Sequence, residues 1–123
     1  MVIFDANMIL RYLLNDNEEM VDKAKQYLLV GDVKITIEVV AEVVYVLKGV
    51  YKLDRQKIAE KIVAFLELVE CNEREVLYLA LSIYGKENLD FVDCVLYAYN
   101  QIEKCEIATF DKKLLQLLEN VNR

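Results

Sequence analysis

Apolar residues fall in short blocks along the chain, and the polar residues between them stand where helices begin or end. Val2 to Phe4 is an apolar run closed by Asp5, which reads as a buried strand over 2–5. Helical spacing follows over 7–14 and again over 18–30, where Asn17 is placed to cap a first turn carrying Glu18 and Glu19. Gly31 ends that helix, and VKIT (33–36) is a β-branched strand. Over 37–51 a wide apolar face runs through Val39, Val43, Val46, Leu47 and Val50, with Gly49 weakening its end. Asp54 caps a helix over 55–67 that gathers Ile58, Ile62, Phe65 and Leu66 on one side. LVEC (68–71) reads as a third strand. Asn72 with Glu75 resembles a capping box, opening a helix that Gly85 stops after Tyr84. Residues 90–103 form a further helix, EIAT (106–109) a fourth strand, and 111–119 a last helix.

Strands that alternate with helices, without a hairpin signal, predict an α/β fold: a parallel sheet with helices on both faces. Ligands in such sheets bind beyond the carboxyl ends of the strands. Asp5 follows the first strand and Asp111 follows EIAT across Phe110, so both acids are expected at one sheet edge.

Composition narrows the class. The 123 residues fit one domain, 1–123, and 56% hydrophobic with 29% charged residues describes a folded chain. The absence of Pro favours helices joined by short turns. With no His and no closely spaced pair among Cys71, Cys94 and Cys105, a zinc site of the usual ligands is excluded. The cysteines read as small buried hydrophobes in a reducing cytoplasm. No stretch spans a membrane or forms a secretory leader, because Asp5, Asn7 and Arg11 break the N-terminal apolar run. A net charge of −6 argues against broad nucleic-acid binding, though not against a nuclease whose acids are covered by metal.

Most acids, among them Glu18, Glu19, Glu73, Glu75 and Glu87, read as solvated. Glu42 stands in TIEVVAEVVYVL and Asp93 in LDFVDCVLYAY, where nearly every neighbour is apolar. Asp90 is accounted for as the cap before Asp93. Asp5 and Asp111, taken singly, are also accounted for as caps. Taken together, four acids in apolar surroundings point to a cluster. Two unit charges 4 Å apart repel by roughly 4 kcal/mol at an effective dielectric of 20, so a cluster requires a cation or a proton. Oxygen ligands alone favour Mg²⁺ or Mn²⁺.

FDANMILRYLL, TIEVVAEVVYVL, LDFVDCVLYAY and IATFDKKL, in that order, resemble the PIN domain, and more narrowly its small VapC-type toxin ribonucleases. The resemblance covers nearly the whole chain. It implies a three-layer α/β/α sandwich with a short parallel sheet and a metal-dependent endoribonuclease. The family's acidic set falls on Asp5, Glu42, Asp93 and Asp111. Asn7 matches the polar residue two places after the first acid, Thr109 the hydroxyl before the last, and Asp90 an additional acid of some members. Ala6 departs from the usual Thr or Ser. The resemblance also implies a homodimer and a small antitoxin partner that blocks the acidic site.

The expected chemistry is in-line hydrolysis of an RNA phosphodiester by a metal-activated water. Asp5 and Asp93 are the expected ligands, with Glu42 and Asp111 completing the shell. Arg11, Lys48, Lys52, Lys112 and Lys113 are candidates for backbone contacts, while Tyr45, Tyr97 and Tyr99 read as core. A haloacid dehalogenase-type phosphotransferase needs an acid where Asn7 stands, and a receiver domain needs one where Cys71 stands. A non-catalytic PIN-like interaction module and a processing nuclease that is not a toxin are the standing alternatives.

Overall fold

The computed structural model describes residues 1–121; residues 122 and 123, inside the expected domain span of 1–123, lie outside the described residues. Strand β1 (Val2–Ile3) pairs in parallel with β2 (Val33–Lys34), Val2 opposite Val33 and Ile3 opposite Lys34. A parallel bridge joins Lys34 to Glu70, closed by Glu70 N–H to Val33 O at 2.8 Å and Ile35 N–H to Glu70 O at 2.9 Å. Seven helices accompany them: α1 (Ala6–Leu14), α2 (Glu18–Val30), α3 (Ile37–Gly49), α4 (Arg55–Leu66), α5 (Arg74–Lys86), α6 (Phe91–Glu103) and α7 (Lys112–Val121). This is the expected α/β fold with a short parallel sheet, richer in helix than the apolar pattern predicts. Among the described residues no helix is long and apolar enough to cross a membrane.

The sheet is thin for identifiable reasons. Thr36 leaves the expected strand 33–36 because its hydroxyl accepts Val39 N–H and caps α3. The expected strand 68–71 contracts to the bridge at Glu70. Residues 104–111 are irregular, so the expected strand 106–109 does not form; Glu106 and Ala108 stay exposed there.

The helices keep their predicted capping residues at most starts. Asp5, Asn17 and Asp54 accept the amides of Met8, Met20 and Lys57. Gly31 closes α2 at φ 87°, a left-handed conformation that glycine adopts without Cβ strain. The Asn72–Glu75 box does not form. Glu73 precedes α5 with no side-chain cap bond, and its carboxylate accepts the Tyr99 hydroxyl instead. Gly85 does not stop α5, which runs on to Lys86. A Cβ at 85 would stand 3.4 Å from the Ala59 Cβ, so Gly85 lies on the face of α5 that meets α4.

Core positions repeat at i, i+3, i+4 and i+7. In α3 they are Val40, Val43, Val44 and Leu47, so the buried face is turned from the expected one: Val39 and Val46 are half-buried and Val50 is exposed. Ile58, Ile62, Phe65 and Leu66 of α4 are buried as expected, facing Val76, Leu77, Ala80 and Leu81 of α5 within one hydrophobic cluster. Phe4, next to β1, stacks on Phe65 at 6.5 Å and meets Tyr27 edge-on at 6.0 Å, tying the sheet to α4 and α2.

Two arginines brace the α4–α5 pair reciprocally. Arg55, first residue of α4, donates to Tyr84 O at 2.9 Å and to Leu89 O, past the C-terminal end of α5. Arg74, first residue of α5, donates to Leu66 O at 2.6 Å and to Val69 O, at the C-terminal end of α4. Each guanidinium thus satisfies carbonyls that the partner helix leaves unpaired.

Candidate functional site

Helix α6 begins with an acid that does not serve it. Asp90 occupies the cap position, and its side chain makes no cap hydrogen bond; the expectation that it caps the helix is not met. The backbone at 90 has φ −57° and ψ 147°, and only its carbonyl joins the helix, accepting Cys94 N–H at 3.0 Å. The carboxylate is exposed and lines a depression of about 300 Å³ together with Asp93, Asp111, Asn88, Leu89, Lys112 and Lys113.

Asp93, one turn in, is half-buried. Burial first, then the charges of Asp111 and Asp90, push its carboxyl above the usual carboxylate range. Asp93 is the least solvated of the three acids that line this depression. Asp111 caps α7 by accepting Leu114 N–H at 2.9 Å, and its own N–H is held by the Thr109 hydroxyl at 3.0 Å. Thr109 therefore fixes the turn that carries Asp111.

Asp5 and Glu42 stand outside the lining of this depression. Asp5 follows the β1 edge, exposed, with Oδ1 occupied by Met8 N–H at 2.9 Å. Glu42 is exposed on α3, and Asn7 is exposed in the first turn of α1. Helix α3 packs on both α1 and α6, so it connects the two places where the acids stand. Among the described residues, no three His, Cys, Asp or Glu side chains form a ready cage for one ion.

The cations divide. Arg11 is engaged, pairing with Asp16 at 2.8 Å and donating to the Tyr51 hydroxyl at 3.2 Å. Lys112 and Lys113 line the acid depression, and Lys113 reaches Asn88 O at 3.4 Å. Lys48 lines a separate apolar groove with Tyr45, Phe91 and Val92 that meets the acid depression at Asp90.

The tyrosines and cysteines also divide. Tyr97 is buried as expected, Tyr99 is half-buried with its hydroxyl pushed up to about 12 by its hydrogen bond to Glu73, and Tyr45 is 78% exposed. Cys94 is buried and its thiol pushed up to about 12, chiefly by burial. Cys71 is half-buried, whereas Cys105 is exposed, so the expectation of three buried cysteines holds fully only for Cys94.

Sequence reasoning assigned nothing to Arg55. Besides bracing α5, it lies 3.9 Å from the Tyr84 ring centroid and holds Leu89, the residue before Asp90. It therefore positions the turn into α6. A cation in a first helical turn opposes the macrodipole, and that conflict was the available signal.

Against models of known families, residues 2–119 match that of the PIN domain. No curated protein and no solved structure matches the chain.

Proposed function

The chain belongs to the PIN domain family, whose members are in general metal-dependent nucleases, and on that premise we propose that it is an Mg²⁺- or Mn²⁺-dependent endoribonuclease. The observation that carries this reading is the shared depression of Asp90, Asp93 and Asp111, with Asp93 pushed up by burial and by the other two. Carboxylates left in mutual repulsion are the donor chemistry that a hard divalent cation suits.

Asp93, Asp111 and Asp90 would hold the ion, and the family resemblance would add Asp5, which caps α1, and Glu42 on α3. Mg²⁺ normally keeps several of its own waters, so it would need few direct protein ligands. Such an ion supplies an acidified water and stabilises charge on the phosphate. Lys112 and Lys113 at the rim draw in the RNA backbone. With no His in the chain, a carboxylate of the set takes the proton of the attacking water. The new P–O bond forms as the P–O3′ bond breaks, and the departing oxygen takes a proton from solvent. The products are a 5′-phosphate and a 3′-hydroxyl.

We place the protein further as the toxin of a toxin–antitoxin pair, a cytoplasmic homodimer restrained by a small antitoxin. The resemblance of the four acidic motifs to the small VapC-type ribonucleases supports this narrower reading.

The test is RNA cleavage by purified protein with Mg²⁺, Mn²⁺ or chelator. Divalent-dependent cleavage that Asp93→Asn abolishes, with the fold retained by circular dichroism, is the expected result. A 2′,3′-cyclic phosphate product would contradict the hydrolytic scheme. A broad RNA panel left intact with either metal would leave an interaction module. A short neighbouring reading frame for a DNA-binding antitoxin tests the toxin assignment.

A further inference from the structure

Three of the four phenylalanines are buried: Phe4, Phe65 and Phe91. Phe110 is fully exposed, at 102% of its reference surface. A lone exposed apolar side chain is ordinary on a protein surface. Its place in the chain is what matters. Phe110 stands between Thr109 and Asp111, and the Thr109 hydroxyl holds the Asp111 N–H while Asp111 holds Leu114 N–H. The backbone on its C-terminal side is thereby pinned, with the ring in solvent. The next two residues, Lys112 and Lys113, line the acid depression with Asp111. An aromatic face, one acid of the set and two cations thus adjoin within four consecutive residues.

The overall charge of −6 makes this arrangement informative. Affinity for a polyanion from phosphate neutralisation alone is weak in an acidic protein. Stacking on an aromatic face adds affinity that is independent of net charge, and it requires a base that is not already stacked in a duplex.

Resting on the ribonuclease reading above, we propose that Phe110 is a stacking platform for one nucleobase of single-stranded RNA, whose flanking phosphates meet Lys112 and Lys113. The stacked base sets the register in which the adjacent phosphodiester enters the depression of Asp90, Asp93 and Asp111. Phe110 is a positioning residue in this scheme and touches no reacting atom. A protein partner on the same ring is the competing occupant. The two lysines that follow the ring in the chain, and its place next to Asp111 of the depression, favour RNA.

The experiment compares wild type with Phe110→Ala, Phe110→Leu and Phe110→Trp. Because the ring packs on nothing, none of these is expected to disturb the fold, which circular dichroism checks. Binding to a short labelled oligoribonucleotide, and to an abasic oligomer of equal charge, is read by anisotropy with Ca²⁺ in place of Mg²⁺. The Ala and Leu variants are expected to bind the oligoribonucleotide about tenfold more weakly, and Trp to restore it. The abasic oligomer is expected to bind all four proteins alike. In cleavage, KM rises for Ala and Leu while kcat stays near wild type.

Equal oligoribonucleotide affinity across the four proteins overturns the proposal, as does an equal loss on the abasic oligomer. Unchanged RNA binding with a shift from dimer to monomer in light scattering also overturns it and assigns the ring to a protein contact. Wild-type cleavage, measured in parallel, separates the two levels. If wild type cleaves and Phe110→Ala binds normally, only the platform fails. If wild type neither binds nor cleaves RNA, the ribonuclease reading fails with it.

Discussion

Helices α4 and α6 both start at an aspartate, and the two aspartates have opposite fates. At α4, Asp54 accepts Lys57 N–H at 2.8 Å, and no other carboxylate lies in the first turn. At α6, Asp90 leaves the first-turn amides uncapped and its carboxylate turns to the depression, where Asp93 is raised in pKa beside it. Capping is worth about 1 kcal/mol, and α6 could have had it from the same residue type. That α6 forgoes a local gain and instead gathers repelling charges is the ground for the proposal that these acids serve a ligand. Residue type alone therefore does not say what a carboxylate does: Asp54 caps α4, Asp111 caps α7 and also lines the depression, and Asp90 lines it without capping α6.

The largest expected effect is at Asp93. Asp93→Asn should lower divalent-dependent RNA cleavage more than about 100-fold, and in chelator it should raise the melting temperature. Lost activity together with lost stability would break the comparison, because it would make Asp93 structural. Next comes Asp54→Ala, expected to cost about 1 kcal/mol in denaturant unfolding and to leave cleavage at the wild-type rate.

The pH dependence is smaller and its sign is definite. Asp93 has a raised pKa when folded, so between its unfolded value and its folded value the native state binds more protons than the unfolded state. Its contribution therefore falls as pH rises through that window. The stability difference between wild type and Asp93→Asn in chelator should grow with pH there and level off above it. Added Mg²⁺ should stabilise wild type at neutral pH and do less for Asp93→Asn. The smallest effect belongs to Asp90→Ala, within about 0.5 kcal/mol of wild type in unfolding, since no cap bond is lost.

Local chemistry was legible along the chain. Asn17, Gly31 and Asp54 act at the helix ends where residue type and spacing place them, because caps involve neighbours within a turn. Features that depend on distant segments were not. EIAT has the composition of a strand, yet residues 106–109 stay irregular because the described chain pairs no strand with them. Glu73 stands at the start of α5 but bonds Tyr99, 26 positions away. The same divide runs through the site. The sequence pointed to one cluster of Asp5, Glu42, Asp93 and Asp111 with Asp90 as an additional acid, whereas the depression gathers Asp90, Asp93 and Asp111 and leaves Asp5 and Glu42 outside its lining. The exposure of Tyr45 was hidden because helical spacing alone does not say which way a broad apolar face is turned.

The crossed arginines of the α4–α5 pair have a kinetic consequence. Fraying the C-terminal end of either helix strands a guanidinium of the other, so the amides beyond Leu66 and those beyond Tyr84 are expected to exchange with deuterium together. The turn into Asp90 is tied to them through Leu89, so the rim of the acidic depression is expected to open together with the far end of the hairpin.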